Sequence, residues 1–530
     1  MLDRTLIMPS LVAQRAREHP DRVLIEHVDG ERLTYSELHG GAQRWAGAYQ
    51  RLGVHAGDTV VTMSSIRFEF YFSWLGLSWL RAVETPINTD YRGPMLVHAL
   101  TNSGASVVLV EARFLDRFEA VAADLDAKPT LVVLDADGSL PASSFELMTA
   151  EQFLSGGGPA CDLEAPNVWD IASIVYTSGT TGPSKGVMMP WGQLHQLAVG
   201  AFPPGAFGED DCFYLPVVTY HMGAKAMPYL MALVNGRVVI RDRFSATAFL
   251  DDIEAHRCTI TVMVAAIAQL MSARDPKPDD ADSPLRYALM APVLPDVEAF
   301  CARFGLKAGT AYAMTELAPV IASDGGDVTN ANHASCGRLR PGFEVRIVDE
   351  HDCEVPVGEV GELIVRSDEP WTLNAGYLGM PEATARAWRN GWFHTGDAFR
   401  RDAEGNFYFL DRIKDAIRRR GENISSFEVE GIVSSHPEVQ EAAAVAVPSE
   451  LNEDEVKVVV VRRPESRLSE IELIEFLVPI MPRFMVPRYV EFVPALPKTP
   501  TDRIQKVMLR KVGITPATWD RVQAGIEIPA

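Results

Sequence analysis

The sequence predicts an α/β multidomain protein. A large N-terminal domain of layered mixed and parallel sheets with helices is expected over residues 1–411, and a small α+β C-terminal domain over 412–530. Three observations carry that expectation. The chain has 530 residues, too many for one ordinary domain of roughly 100–200 residues. Ahead of Asp411, short β-branched runs alternate with longer amphipathic stretches, as strands alternate with crossover helices. Beyond Asp411 a compact tail follows with a pattern of its own.

Taken in order, SVVLV (106–110), TLVVLD (130–135), IASIVYT (171–177) and RVVIRD (237–242) are apolar runs of strand length bounded by polar residues or glycine. Each predicts a buried strand, and runs apolar on both faces belong to parallel sheets covered by helices. Residues 248–256 carry a helical pattern ahead of the strand-like TITVMVA. Residues 154–166, with Gly156, Gly157, Gly158 and two prolines, predict a surface loop. In the tail, AAAVAV (442–447), VKVVVV (456–461) and YVEFVP (489–494) predict strands, with a helix over 469–480. At the junction sits the charged run DRIKDAIRRRGEN. Composition alone fits either a solvated segment or a hinge lined with cations.

Composition narrows the function classes. Lys and Arg number 49 against 71 Asp and Glu, a net charge of −22, which disfavours nucleic acid as a partner because its binders need clustered positive charge. Small anions stay open, since backbone N–H groups can hold them locally. The six cysteines form no Cys-x-x-Cys pair and are widely dispersed, against both a disulfide framework and a zinc site. No signal-like apolar run opens the chain, and the longest apolar stretch, near 70–80, is far short of the ~20 residues of a membrane span. A cytoplasmic location is expected.

The strongest local signal is TSGTTGPSKG, residues 177–186, which continues directly from the IASIVY strand. Gly179, Gly182 and Gly186 permit close backbone approach. Thr177, Ser178, Thr180 and Thr181 offer hydroxyls and Lys185 a cation, which together suit a polyphosphate. The spacing is not that of a Walker loop, and a flexible Ser/Thr/Gly linker is the plainer alternative.

Further motifs follow in order: Tyr312-Ala-Met-Thr-Glu316, Gly361-Glu-Leu-Ile-Val-Arg366, Gly391-Trp-Phe-His-Thr-Gly-Asp397, Asp411-Arg-Ile-Lys-Asp415 with Gly421-Glu-Asn-Ile424, and Pro497-Lys-Thr-Pro-Thr501. With the 177–186 loop, this series resembles the adenylate-forming superfamily, the acyl-CoA synthetases, peptide-synthetase adenylation domains and beetle luciferases, over nearly the whole chain. NGWFHTGD and RGENIS resemble the acyl-CoA synthetase branch. The resemblance implies two half-reactions. A carboxylate first attacks the α-phosphate of ATP, with Mg²⁺, giving acyl-adenylate and pyrophosphate. A thiol, here that of CoA, then displaces AMP. It also implies a small domain that is mobile and rotates between the steps.

Site roles implied by the resemblance run residue by residue. Thr177, Ser178, Gly179, Thr180, Thr181, Gly182 and Lys185 hold nucleotide phosphates. Tyr312 stacks on adenine, Thr315 bonds the α-phosphate, and Glu316 holds Mg²⁺. Asp397 accepts from the ribose hydroxyls, with Arg412 at the same sugar. Lys414 takes the hinge position. His221, in Thr219-Tyr-His-Met-Gly223, lines and gates the acyl tunnel, with Tyr220, Met222 and Met290 as further wall residues. Gly421 lets the pantetheine arm pass, and Arg418 and its neighbouring arginines meet CoA phosphates, with Glu422 beside them. A homodimer is common among such enzymes.

The chain departs from the family at one decisive place. The usual Pro-Lys-Thr-x-x-Gly-Lys-Ile brings its second lysine to the adenylation centre. Here Asp502 and Arg503 stand at the Gly and Lys positions. A planar guanidinium is not interchangeable with a compact ammonium, and Asp502 adds a charge that repels phosphate. Lys506 lies roughly 10 Å further along if extended. Ala311 and Ala313 flank Tyr312, and Met290 stands where the family usually has glycine. Adenylation is therefore expected to be weak or absent while thioester formation persists, the acyl-adenylate of a hydrophobic acid coming from a separate adenylating enzyme. A complete two-step synthetase, a nucleotide-binding scaffold without turnover and, remotely, a luciferase-like oxygenase stay open.

Overall fold

In a computed structural model the chain is described over residues 2–528, apart from 137, 157, 159, 161–162, 178–183, 243–244, 246, 264, 325–327, 414–416, 420–421, 425, 449–453, 482–484, 500–502 and 527; the side chains of 265–266, 418 and 422–423 are likewise outside the description.

Two seven-stranded sheets build the large domain. One runs, in spatial order, Leu147–Thr149, Thr130–Val133, Val107–Val110, Thr59–Met63, Val83–Pro86, Ile171–Thr177 and Lys185–Pro190. Its strands are parallel except the last, which pairs antiparallel with Ile171–Thr177. The other runs Lys307–Gly309, Tyr287–Met290, Ile260–Met263, Cys212–Leu215, Arg237–Ile240, Val23–His27 and Arg32–Thr34. Most of these strands are apolar on both faces, because helices cover each side. The largest core cluster lies between the sheets and includes Trp74, Trp191 and Tyr229.

An antiparallel sheet of Phe343–Val348, Val360–Ser367, Phe393–Arg401 and Phe407–Arg412 follows. It ends at the junction. Beyond it, Val439–Pro448, Asp454–Arg462, Tyr489–Phe492 and Trp519–Asp520 form a separate four-stranded sheet with its own core, including Val456, Leu473 and Val490. Helix Glu470–Leu477 packs on it, opened by a capping box in which Ser469 and Glu472 satisfy each other's backbone N–H groups. The architecture is the expected one, a large layered α/β domain with a smaller α+β domain behind it. Among the described residues no helix is long and apolar enough to cross a membrane.

Candidate active site

The site is assembled where the antiparallel sheet meets the ends of the two larger ones. Asp397 lies in strand Phe393–Arg401, directly opposite Arg412 in the next strand. Its Oδ1 is 2.8 Å from Arg412 Nε, and its Oδ2 accepts from the Tyr312 hydroxyl at 2.6 Å. The preceding turn is held firmly. Gly396 adopts φ +70°, a conformation suited to glycine. Its N–H donates to Glu362 Oε1 at 2.9 Å, and the other Glu362 oxygen accepts from His394 Nδ1 at 3.0 Å. Glu362 thus fixes the turn that aims Asp397.

Glu316 is 7% exposed. Its Oε1 accepts from the Tyr377 hydroxyl at 3.1 Å, and its carbonyl accepts from Asn374 Nδ2 at 3.0 Å. Lys185 Nζ stands 4.6 Å above the Tyr377 ring, a cation–π contact that links the phosphate-loop cation to the Glu316 carboxylate through one side chain. Burial raises the Glu316 carboxyl above its ordinary range, with Arg412 and Lys185 among the groups opposing the rise. A single buried carboxylate beside a polyphosphate site is a donor set that fits Mg²⁺, which takes one or two carboxylates and completes its shell with phosphates and water. The Thr315 carbonyl accepts from Gln193 Nε2 at 3.0 Å.

Ser178, Gly179, Thr180, Thr181 and Gly182 lie outside the described residues, but both ends of their loop are anchored. Thr177 pairs with Lys185 across two strands. Ser184 bonds Tyr91 through its hydroxyl at 3.3 Å and accepts from His98 Nε2 at 2.8 Å through its carbonyl.

Arg503 reaches this centre from the small domain. The 498–504 turn closes through a Lys498–Ile504 bridge, a Thr499 N–H to Arg503 carbonyl bond of 2.7 Å, and an Arg503 N–H to Thr499 Oγ1 bond of 3.1 Å. Among the described residues the Arg503 guanidinium has no ion-pair partner, yet it interacts electrostatically with Glu316, Asp397, Arg412 and His221. Partial loss of solvent, then the like charge of Arg412, lowers its pKa, while the two carboxylates oppose. Lys506 is committed elsewhere. Its Nζ bonds Ser426 Oγ and pairs with Glu430 at 2.8 Å, both residues of the tail beyond Asp411.

His221 keeps part of its surface exposed and stands within electrostatic reach of Arg503. Desolvation, aided by the Arg503 charge, pushes its imidazole down to about 4, so it is neutral at pH 7. The Tyr220 ring lies 5.5 Å away.

Several expected residues sit differently. Met290 is 1% exposed and packs in the closed core with Met263 and Val293 rather than on an open acyl wall. Met222 is likewise buried, in the inter-sheet core. The edge of the Tyr312 ring meets Phe399 with centroids 4.7 Å apart, with Phe409 stacked 6.5 Å away, so it is part of a closed aromatic cluster as well as an Asp397 partner. Among the arginines expected at CoA phosphates, Arg419 is buried, pairs with Glu455 at 2.7 Å and donates to the Val486 carbonyl. Burial and pairing withdraw it from solvent. Lys414, Gly421 and Asp502 fall outside the described residues, as do the side chains of Arg418 and Glu422. Sequence reasoning missed Tyr377, Asn374 and the role of Glu362. The NAGYLG segment offers glycines with a polar and an aromatic residue, a weak signal, and nothing in the sequence around Glu362 points to the turn it holds.

The paired Asp397 and Arg412, the buried Glu316 carboxylate bonded to Tyr377, the loop anchored at both ends and the Arg503 charge within electrostatic reach make up the candidate site of an adenylate-forming enzyme. The chain belongs to the AMP-binding enzyme family, whose signature matches residues 12–378, with the AMP-binding enzyme C-terminal domain matching 428–503. Crotonobetaine/carnitine–CoA ligases of Escherichia coli and Shigella dysenteriae are 30% and 31% identical to it over 505 residues, covering 93% of this chain and 96% of theirs. ATP-bound MatB from Rhodopseudomonas palustris superposes with a TM-score of 0.81 at 26% identity, over 95% of this chain and 98% of that one. The fold is shared as well by the anthranilate CoA ligase AuaEII in complex with anthranoyl-AMP, at TM-score 0.82 and 23% identity over 95% and 96% of the two chains. The protein is an AMP-forming acyl-CoA ligase.

Proposed function

We propose that this ligase transfers a hydrophobic acyl group from its adenylate to CoA, releasing AMP, and that its own adenylation step is slow. The observation that carries the second half is Arg503: the cation offered to the nucleotide centre is a planar fork already facing the like charge of Arg412, while Lys506 is held by Ser426 and Glu430. Thioester formation asks less of this position. The CoA sulfur attacks the acyl carbon, the bond from that carbon to the AMP phosphate oxygen breaks, and the thiol proton passes to solvent. A thiol with pKa near ~8.5 is nucleophilic without an elaborate base. Mg²⁺, held by Glu316 and ATP phosphates, would neutralise phosphate charge in the adenylation step.

Asp397 and Arg412 take the ribose, Thr177, Thr315 and Lys185 with residues 178–182 take the phosphates, and Tyr312 closes the adenine side. His221 and Tyr220 form the acyl wall as neutral groups. Gly421, with Arg418 and Glu422, takes the CoA arm once the small domain, residues 412–530, has rotated about Lys414. A separate enzyme supplies the adenylate, in the cytoplasm.

A complete two-step synthetase is the second reading, favoured by the electrostatic reach of Arg503 to both Glu316 and Asp397. A split assay separates the two. Purified protein receives, in one arm, ATP, Mg²⁺ and a panel of acids, read by pyrophosphate release. The panel spans hydrophobic acids and the betaine acids for which the relatives are named. The other arm supplies the matching synthetic adenylates with CoA, read by thioester. Thioester with at least tenfold slower pyrophosphate release is expected, and Arg503→Lys should raise the pyrophosphate rate by about tenfold, roughly 1.4 kcal/mol of barrier. Equal rates in both arms would establish the complete synthetase.

A further inference from the structure

The core between the two large sheets holds an ion pair with no access to water. Lys225 Nζ lies 2.8 Å from Glu84 Oε2, and both side chains are 0% exposed. The ammonium faces the rings of Phe70 and Trp74 at 4.7 and 5.7 Å. Ser173 meets the same carboxylate oxygen: its hydroxyl donates to the Glu84 carbonyl at 3.0 Å and lies 3.2 Å from Oε2. Two charges buried this way gain little net stability, because desolvation offsets their attraction, and a well-packed apolar replacement is often neutral or better. What such a pair does provide is direction: it is satisfied in one relative placement of the two elements that carry it.

Those elements are the two halves of the active site. Lys225 stands in the first turn of helix Gly223–Leu233. Its N–H donates to the Met222 carbonyl at 3.0 Å, and the neighbouring Ala224 N–H donates to the His221 carbonyl at 3.0 Å. The helix start and the acyl wall are therefore one rigid unit. Glu84 lies in strand Val83–Pro86 and pairs in register with Ser173. Ser173 belongs to strand Ile171–Thr177, which runs into the phosphate loop and pairs with the strand carrying Lys185.

We propose that Lys225 and Glu84 are positioning residues for the acyl-transfer reaction, setting the distance between the His221 wall and the nucleotide phosphates. The acyl carbon and the phosphorus of an adenylate are separated by one oxygen, so an enzyme that binds both ends must hold the two walls in register. Misplacement by about 1 Å is enough to cost on the order of 100-fold in rate.

The activity arm of the test rests on the acyl-transfer reading above; a second readout does not. The double variant Glu84→Gln with Lys225→Met removes both charges at near-constant volume, so no unpaired charge is left buried. Its thermal midpoint, its affinity for AMP, its kcat and KM for decanoyl-adenylate with CoA, and the amide exchange of residues 221–226 are compared with the unaltered protein. The expected result is an unchanged or higher midpoint, AMP affinity within twofold, kcat/KM at least tenfold lower, and at least tenfold faster exchange over 221–226. Unaltered kcat/KM, or unaltered exchange there, overturns the proposal. A lowered midpoint with AMP binding lost in parallel also overturns it, because the pair would then be a plain stability element. If the unaltered protein forms no decanoyl-CoA, the hydrophobic-acyl reading fails instead, and the exchange comparison alone decides the pair.

Discussion

At the scale of single residues the site is a set of charges whose neighbours decide their state. His221 illustrates the sign. Its folded pKa is about 4 against an ordinary 6.5, through loss of solvent first and the Arg503 charge second. Between those two values the unfolded chain binds the proton and the folded chain does not. Stability rises with pH wherever the unfolded state holds more protons, so the contribution present above pH 6.5 is lost as pH falls toward 4. His195, half-buried beside the Tyr229 hydroxyl at 3.0 Å and likewise pushed down to about 4, acts the same way. The raised carboxyl of Glu316 acts in the opposite direction in this range, so the informative quantity is a difference. Urea midpoints of the unaltered protein and of His221→Gln, taken from pH 7.5 to 4.5, should converge as the pH drops, the variant losing less. Parallel curves would mean that His221 titrates normally.

At the scale of elements, the loop that aims Asp397 depends on a neighbouring strand. Glu362, in Val360–Ser367, accepts from Gly396 N–H and His394 Nδ1 and pairs with Arg389 at 3.1 Å. Glu362→Gln keeps the shape but leaves one acceptor where two were used. Hydrogen bonds to charged groups contribute about 1.5–3 kcal/mol, and each ~1.4 kcal/mol is tenfold in affinity. AMP affinity by calorimetry should fall about tenfold, with the fold intact by circular dichroism; an unchanged Kd would sink the idea. Strands were the legible part of the sequence. The runs at 106–110, 130–135, 171–177 and 237–242 contain Val107–Val110, Thr130–Val133, Ile171–Thr177 and Arg237–Ile240, because fully buried parallel strands are apolar without interruption. Val83–Pro86 escaped, since its Glu84 and Pro86 read as polar and strand-breaking; its glutamate pairs with Lys225 on a helix distant in sequence. Glu316, Asp397 and Arg412 could be picked out as candidates because their motifs are local, and the structure brings Asp397 and Arg412 together. Tyr377 and Asn374 could not, because what places them at the candidate site is their contact with Glu316, and partners far apart in sequence leave no periodic trace.

At the scale of the whole molecule, the question is what holds the small domain where Arg503 meets the nucleotide centre. Asp411, in the last strand of the antiparallel sheet, accepts from the Ser426 N–H at 2.6 Å and from the Ser426 hydroxyl. Ser426 begins helix Ser426–Ser434, so the carboxylate also sits at the positive end of that helix. Lys506 Nζ bonds the same hydroxyl and pairs with Glu430, whose Oε1 accepts from the Ala444 N–H at 2.7 Å. One chain of contacts therefore ties the junction to a helix, to the segment carrying Arg503 and to the edge strand Val439–Pro448 of the small domain's sheet. In this chain Lys506 is placed as a strut, and the proposed reading gives it no direct part in adenylation. Lys506→Met should leave thioester formation from supplied adenylate within about twofold, because on the proposed reading the small domain has rotated before that step. It should lower the residual pyrophosphate rate at least fivefold and speed proteinase K cleavage near the junction, because Ser426 and Glu430 lose a charge-assisted partner. If Lys506 instead supplied the adenylation charge directly, pyrophosphate release would vanish while cleavage near the junction stayed at its original rate, and the two effects are read on the same protein sample.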